Sequence, residues 1–348
     1  MKLFNYTPII AGFFLLLQGC LEPKSEDIWD LDRVTTLNTI GYCRYSAMSG
    51  DLIFVAAGQG GVQIWNFAPL FETNSVPLLK TTLDIKNDLA VVKDINQVAY
   101  SARTKQLFAL ETYERPILID YSNPDNPINN GQAMSEKTEE FRIIDEDLSF
   151  TIIAADEDDG IKVTVFDGFM LNDSTVLYSP AANGDSQTPV NGRSSGIDIA
   201  DSLLAVSIDQ LGVALYKYQS PPALQTFLDS RDTEGNAISV TFHGNSGLFV
   251  ASEEGGCYYF QIMADSLRFK DEGVRFANDL RVQQVSYYEN MAALALGSQG
   301  IALFDITDPL HPESRGVYDI GHVYHTTFAN GYLLAATRAG LQIITIGI

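Results

Sequence analysis

The sequence predicts an all-β fold, a seven-bladed β-propeller made of four-stranded antiparallel blades. The first observation is a recurring motif, best preserved at residues 300–309, in which a glycine precedes an alternating apolar strand and an Asp-Pro stop. The second is its spacing. The motif begins at positions 61, 116, 160, 212, 256, 300 and 340, so the gaps are 55, 44, 52, 44, 44 and 40 residues. The third is that we find no convincing ten-residue stretch of helical periodicity in the mature chain. A period near 44 residues made of strands is typical of propellers.

The first element, residues 1–19, is predicted to be a lipoprotein signal peptide. Lys2 supplies a positive charge, and residues 6–17 form an apolar core too short to be a comfortable membrane span. The core ends in Leu-Gln-Gly-Cys, which resembles the bacterial lipobox and implies cleavage before Cys20 and attachment of diacylglycerol to its sulfur. An ordinary secretory signal with a chance cysteine is the alternative. Acylation would anchor the protein to a membrane without spanning it.

The second element, residues 20–29, is predicted to be a lipidated tether. Residues 21–27 are polar and contain a proline, which suits a segment that lifts a folded body off a lipid surface. Their acidic run resembles the export signals of bacterial surface lipoproteins, although any solvated linker could have this composition. We therefore expect a lipid-anchored protein of the bacterial cell envelope, at the outer membrane or the cell surface.

The remaining residues, 30–348, are predicted to form the propeller. Each repeat contains an alternating first strand, a tight turn, a strongly apolar second strand, a glycine-bearing turn, the motif strand and a variable fourth strand. The seventh repeat stops after its third strand, whereas residues 31–37 resemble the fourth strand at 78–83. Because a ring of blades must not leave an open edge, we expect this N-terminal strand to complete the last blade.

Two gaps exceed the repeat length and indicate insertions. Residues 179–189 are rich in Ser, Pro, Asn and Gly, and this composition predicts a loop. Between the first two repeats, the extra length lies in residues 71–77 and 85–93. Insertions of this kind usually extend one face of a propeller.

Three segments carry a family resemblance. Residues 301–312 and 117–127 match the signature strand and Asp-Pro-x-x-Pro tail of the LVIVD repeat, and residues 41–50 are similar to that family's first strand. The resemblance implies a bacterial surface β-propeller. It implies no single activity, because none is shared by proteins with this repeat.

Composition excludes some partners. Acidic residues outnumber basic residues 44 to 22, which gives a formal net charge of −22. Such a surface keeps an exported protein soluble, or alternatively attracts divalent cations or basic partners. Nucleic acid is excluded, because phosphate contacts need a basic footprint. Cys43 and Cys257 fall in distant repeats, so we expect two buried free thiols in place of a disulfide.

Several apparent motifs do not predict a metal, a cofactor or a catalytic residue. The acidic residues 156–159 lack the distal glutamate of a calcium loop, so a hairpin turn is the better interpretation. His322 and His325 would point to opposite faces of a strand, which disfavours zinc. The chain has no nucleophile elbow, phosphate loop or dinucleotide fingerprint.

One set of residues remains as a candidate binding site. When the first strands are aligned on their hairpin turns, one level contains Tyr45, Gln97, Arg142, Gly196, Ser239, Gln284 and His325. The level before it contains Arg44, Asn96, Phe141, Ser195, Ile238, Gln283 and Tyr324. First strands line a propeller's axis, so these levels predict a polar ring at one channel mouth. We take as candidate binding residues Arg44, Tyr45, Gln97, Arg142, Ser239, Gln284 and His325.

The charges in this ring predict the kind of ligand. Arg142 and His325 would favour an anionic or polyhydroxylated guest, whereas a hydrated channel without a ligand is the alternative. The predicted function is a membrane-anchored extracytoplasmic module that binds or scaffolds a protein or glycan partner. A glycan-acting hydrolase or lyase with unidentified catalytic acids competes with it, as does a purely structural envelope component. The aligned ring contains no carboxylate, which favours binding over hydrolysis.

Overall fold

The computed structural model describes residues 28–85, 93–111, 114–132, 137–172 and 175–347. The predicted signal peptide, Cys20 and most of the predicted tether lie outside these residues. The described strands form seven antiparallel sheets. The first strand of each sheet contacts the first strand of the next, and the last contacts the first, which closes a ring. The prediction of a seven-bladed β-propeller is therefore confirmed.

The blades follow one another along the chain. Blade 1 contains β2 (Tyr45–Ser49), β3 (Leu52–Ala56), β4 (Val62–Asn66) and β5 (Leu78–Leu83). Blade 2 contains β6 (Ile95–Tyr100), β7 (Gln106–Glu111), β8 (Ile117–Asp120) and β9 (Ile128–Gln132). Blade 3 contains β10 (Glu140–Asp145), β11 (Ser149–Asp156), β12 (Gly160–Asn172) and β13 (Thr175–Thr188). Blade 4 contains β14 (Gly196–Ala200), β15 (Leu203–Ser207), β16 (Val213–Lys217) and β17 (Thr226–Arg231).

The last three blades complete the ring. Blade 5 contains β18 (Ser239–His243), β19 (Gly247–Ala251), β20 (Cys257–Met263), β21 (Arg268–Phe269) and β22 (Val274–Phe276). Blade 6 contains β23 (Gln284–Tyr288), β24 (Met291–Ala295), β25 (Ile301–Asp305) and β26 (Glu313–Tyr318). Blade 7 contains β27 (Val323–Ala329), β28 (Tyr332–Thr337), β29 (Gly340–Gly347) and the N-terminal β1 (Asp30–Leu37).

The N-terminal strand closes the circle as expected. β1 runs antiparallel to β29, with Asp30 opposite Gly347 and Leu37 opposite Leu341. Leu37 is buried between blades 7 and 1 together with Cys43. The strand thus covers the edge that β29 would otherwise expose.

The recurring glycine has a steric explanation. Gly61, Gly212 and Gly300 have positive φ angles of 72°, 77° and 87°. A Cβ at each position would clash with a backbone oxygen of the fourth strand in the same blade. A residue without a side chain is therefore needed where the chain turns into the third strand.

The core lies between neighbouring blades. Between blades 5 and 6, for example, Phe249 and Cys257 pack in one cluster with Leu294 and Phe304. Cys43 and Cys257 are both buried and free, as predicted. Burial raises the pKa of both thiols, which keeps them protonated and unreactive at neutral pH.

The prediction of a loop at residues 179–189 is wrong, because most of this segment belongs to β13. β13 is the outer edge strand of blade 3, and Pro180 lies in it opposite Phe166. A proline is tolerated at the edge because no further strand needs its missing N–H. The ladder resumes at Asp185, opposite Thr164, so residues 181–184 form a bulge. Asn183 and Gly184 lie in this bulge and Pro180 directly precedes it, all within an edge strand.

The other insertion contains a short helix. The helix α1 (Ala68–Thr73) ends at Asn74, which has a φ of 53° and donates its backbone N–H to Leu70. Residues 86–92, within the predicted insertion 85–93, lie outside the described residues. Among the residues that the structure covers, no helix is long and apolar enough to cross a membrane.

The strand directions define two faces of the ring. On the upper face, first strands begin and second strands turn into third strands. On the lower face, third strands end and first strands turn into second strands. β1 begins at the lower face, because Asp30 pairs with the last residue of β29.

Candidate functional site

A polar cavity of about 550 Å³ opens on the upper face around the ring axis. It is formed by residues at or just before the start of the first strands and by turns between second and third strands. Its lining residues are Arg44, Tyr45, Asn96, Gln97, Glu139, Glu140, Arg193, Ser195, Asp209, Asn236, Ile238, Ser239, Glu253, Gln283, Gln284, Tyr324 and His325. Six of the seven candidate binding residues therefore line one cavity, and Arg142 does not.

Arg142 lies deeper in the channel than the other candidate residues, because it is two residues further along its strand. The predicted alignment was shifted by two residues in blade 3. Tyr45 pairs with Ala56, and in blade 3 the equivalent pair is Glu140 with Ala155. The strands β10 and β11 have 6 and 8 residues, whereas β2 and β3 have 5 each. An alignment on hairpin turns consequently places Arg142 where Glu140 belongs.

The polar ring joins neighbouring blades. Gln97 donates from Nε2 to the Phe141 carbonyl at 2.9 Å and accepts the Phe141 N–H at 3.1 Å. Glu140 Oε2 accepts the N–H of Ile197, one blade further, at 3.1 Å. These side chains satisfy backbone groups on the inner edge of the next blade, which has no strand partner there.

The same arrangement continues around the ring. Asp198 Oδ2 accepts the N–H of Phe242 at 2.8 Å, which joins blade 4 to blade 5. Gln284 Oε1 accepts the N–H of Thr326 at 2.9 Å, which joins blade 6 to blade 7. Gln97 and Gln284 were expected to face a ligand, but much of their hydrogen-bonding capacity is used within the protein.

Arg142 is held between two carboxylates on the channel wall. Its Nη1 lies 2.7 Å from Glu140 Oε1, and its Nε lies 3.0 Å from Asp198 Oδ1. Burial alone would lower the pKa of Arg142, but the two carboxylates outweigh it and raise that pKa. The expected positive charge is present, but the two carboxylates more than offset it.

His325 supplies no charge either. Its ring stacks on Tyr45 with centroids 3.8 Å apart and an interplanar angle of 29°. Burial, and then the charge of Arg142, lower the pKa of His325 to about 3, so this ring is neutral at pH 7. Within the described residues, its buried Nδ1 has no hydrogen-bond partner. The basis for expecting an anionic ligand is therefore absent at this level of the channel.

Carboxylates line the cavity, although the alignment placed none in the ring. Glu139 accepts a hydrogen bond from Arg193 Nη2 at 2.5 Å. Glu253 is paired with Arg281 and accepts a hydrogen bond from Asn236 Nδ2 at 3.2 Å. The sequence did not reveal these groups because Glu139 precedes the misaligned strand and Glu253 belongs to a turn.

The layer nearest the opening retains polar groups that face the cavity. Arg44 Nε is buried without a hydrogen-bond partner among the described residues, its Nη2 lies 3.7 Å from Asp94 Oδ2, and its guanidinium carbon lies 4.4 Å from the Tyr324 ring centroid. The Tyr324 hydroxyl accepts a hydrogen bond from Arg338 Nε at 3.0 Å. Gln283 makes no side-chain hydrogen bond to any described residue. This layer, predicted one position before the ring, also contains Asn96, whose Nδ2 donates to the Asp94 carbonyl at 3.0 Å.

Metal-binding groups do not cluster here. In the part of the chain that the structure describes, no group of three or more His, Cys, Asp or Glu side chains could hold a metal ion. The acidic residues after Asp156 form the turn between β11 and β12, where the Asp159 N–H donates to the Asp156 carbonyl at 2.6 Å.

Comparisons with known proteins support the fold. No family model matches the chain, and no curated protein matches it. Among solved structures, the crystal structure of the computationally designed Ika8 protein is similar, with a TM-score of 0.55 and 11% identity. The alignment covers 91% of this chain and 99% of that chain. At this identity the likeness shows the fold alone, and the resemblance to LVIVD repeats stays a prediction.

Proposed function

We propose that this protein is a lipid-anchored extracytoplasmic propeller of the bacterial envelope that binds the glycan part of a partner in its upper cavity. The lipobox-like sequence ending at Cys20 and the resemblance to LVIVD repeats support the location. A scaffold for a protein partner is the alternative within the same class. Ring-shaped propellers host many activities, so the site and not the fold supports the ligand class.

The observation that carries this proposal is the mixed polarity of the layer at the cavity opening. Gln283 offers donors and an acceptor on one planar group, and Ser195 offers a hydroxyl. Asn96 Nδ2 donates to the Asp94 carbonyl at 3.0 Å, which leaves its second N–H and its Oδ1 for a ligand. A sugar hydroxyl also both donates and accepts, so it matches such groups without any net charge. The neutral His325 and the two carboxylates that pair with Arg142 favour an uncharged, polyhydroxylated guest over an anion.

The proposal is tested by a glycan-binding screen on the lipid-free protein, followed by titration of the best oligosaccharide. Tyr324→Ala removes a ring and a hydroxyl from the cavity wall and is expected to weaken binding at least about tenfold. Tyr288→Ala, at an exposed tyrosine on the lower face, is the matched control and should bind normally. Equal affinity in both variants would place the ligand elsewhere. No binding by the wild type would favour the protein scaffold.

A hydrolase or lyase is a second candidate because carboxylates line the cavity. Burial raises the pKa of both Glu139 and Glu140, as a general acid requires. However, Glu140 already accepts hydrogen bonds from Arg142 and from Ile197, and Glu139 accepts one from Arg193. Release of reducing sugar that Glu139→Gln abolishes, with ligand affinity retained, would favour catalysis over binding.

A further inference from the structure

We propose that the lower face of the propeller docks onto a zwitterionic lipid bilayer through an apolar patch on blade 3. We call this patch the hairpin tip, and it consists of Leu148, Phe169, Met170 and Leu177. The inference rests on the proposed lipid anchor, because the anchor would bring this face to the bilayer. Its test below does not depend on acylation.

The hairpin tip exposes large apolar side chains close together. Phe169 is 58% exposed, Met170 62%, Leu148 54% and Leu177 47%. Phe169 lies directly opposite Leu177 across the ladder of β12 and β13. The Gly168 N–H donates to the Leu148 carbonyl at 2.8 Å, which holds the neighbouring turn against the hairpin. Phe169 and Leu177 share one face of the hairpin and Met170 lies on the other, so the hairpin exposes apolar side chains on both faces, with Leu148 in the adjoining turn.

This surface projects beyond its blade. β12 has 13 residues, whereas the third strands β4, β16 and β25 have 5 each. The last residue of β12 that pairs with β11 is Asp167, opposite Ser149. At about 3.3 Å per residue, positions 168–172 carry the hairpin roughly 16 Å further. The hairpin that carries these side chains thus projects below the rest of blade 3.

The proposed anchor leaves from the same face. β12 and β29 both run from the upper to the lower face, and β1 begins opposite the end of β29. The Trp29 N–H donates to the Arg315 carbonyl at 3.0 Å, and the Tyr318 hydroxyl donates to the Trp29 carbonyl. The chain is therefore fixed to the ring at Trp29. An extended chain from there back to Cys20 spans at most about 30 Å, so acylation would keep the lower face near the bilayer.

The two contacts would also fix the orientation of the ring. Blade 3 is three positions from blade 7 in one direction around the ring and four in the other. Contacts on nearly opposite sides hold the lower face parallel to the bilayer and turn the upper cavity towards solvent. The net charge of −22 and the acidic Glu146 and Asp147 beside Leu148 would be repelled by anionic headgroups. A zwitterionic lipid is consequently the expected partner.

The test uses an environment-sensitive fluorophore attached through Met170→Cys. Cys43 and Cys257 are buried and do not compete for the label. The chain from residue 21 onward, with an N-terminal polyhistidine tag, is attached to phosphatidylcholine vesicles that contain a nickel-chelating lipid. The tag replaces Cys20, so the result is independent of acylation. Mass spectrometry of the native protein tests acylation separately. The matched control is Leu211→Cys, labelled on the upper face at a leucine that is 49% exposed.

We expect the emission of the label at position 170 to shift to the blue on vesicles and to be quenched by nitroxide-labelled lipid. The label at position 211 should respond to neither. Without the tag, Phe169→Ser should weaken binding to phosphatidylcholine vesicles about tenfold. The same emission from both labels on vesicles would overturn the proposal. A blue shift at position 170 that appears without vesicles and depends on protein concentration would assign the hairpin tip to self-association and also overturn it.

Discussion

At the scale of single residues, the polar ring has a structural role before any role in binding. Gln97, Glu140, Asp198 and Gln284 each bond to the backbone of the following blade. Buried backbone groups that lack a partner are costly, and the inner edge of each blade would otherwise present several. A ring of apolar residues could not meet this need.

Arg142 provides the first test of this role. Arg142→Met would leave Glu140 and Asp198, which are 18% exposed each, without their shared cation. We expect the free energy of unfolding to fall by about 3 kcal/mol, at the lower end for a buried pair because solvent reaches it partly. Urea denaturation measures this loss.

A matched variant controls for the removal of an arginine in itself. Arg103 pairs with Asp147 at 3.4 Å, with side-chain exposures of 61% and 95%. Arg103→Met is expected to change the free energy of unfolding by less than about 0.5 kcal/mol. Similar values for the two variants would contradict a structural role for the Arg142 cluster.

His325 provides a test of pH dependence. Its pKa is about 3 in the folded protein, well below the usual value of about 6.5 in an unfolded chain. Its contribution to stability is therefore complete above pH 6.5 and is lost as the pH falls towards 3. Between pH 7 and pH 5, the wild type should lose about 2 kcal/mol more than His325→Phe, which keeps an aromatic ring beside Tyr45. Parallel profiles would show that folding does not lower the pKa of His325.

At the scale of elements, closure of the ring by β1 is expected to contribute strongly to stability. Deleting residues 30–39 would remove the strand that covers β29 and the buried side chain of Leu37. We expect aggregation or a large fall in melting temperature, because β29 would become an open edge. Deleting residues 21–27 is the control and should leave the melting temperature unchanged. A chain without β1 that melts like the control would contradict closure by this strand.

Most strands could be predicted from the sequence, because alternation and turn residues are local signals. The pairing of β1 could also be predicted. The seventh repeat lacks a fourth strand and the N-terminal strand lacks a blade, so the two were expected to combine. The segment 179–189 could not, because an edge strand tolerates Pro180 and a bulge that a central strand excludes. The predicted position of Arg142 was wrong because the first hairpin of blade 3 is longer than in blade 1. The repeat motif does not encode hairpin length, so an alignment on the turns shifts the strand.

At the scale of the whole molecule, the repeat spacing predicted the ring but not the electrostatics of its axis. Arg142, Glu140 and Asp198 come from two blades and meet only in the folded protein. In an alignment Arg142 is an unpaired positive charge. The folded structure shows that the carboxylates of Glu140 and Asp198 pair with it. Of the layer nearest the opening, only Arg44 was among the candidate binding residues, because an alignment does not separate polar groups used within the protein from those available to a ligand.

The location of the molecule gives a further prediction. Cys20→Ser is expected to abolish acylation and release the protein into the soluble fraction, because the proposed hairpin contact alone is weaker than an acyl anchor. Fractionation and metabolic labelling with a fatty acid measure the two effects. Unchanged membrane retention of the variant would show that something other than the cysteine holds the protein there.

The central claim is that the upper cavity holds a polyhydroxylated ligand. The most direct measurement is a crystal structure of the lipid-free protein with the oligosaccharide that binds best in the screen. We predict sugar hydroxyls within hydrogen-bond distance of Asn96, Gln283 and Arg44, with the Arg142 cluster unchanged beneath them. A ligand bound at the lower face or the outer edge, with the upper cavity filled by water alone, would contradict the claim.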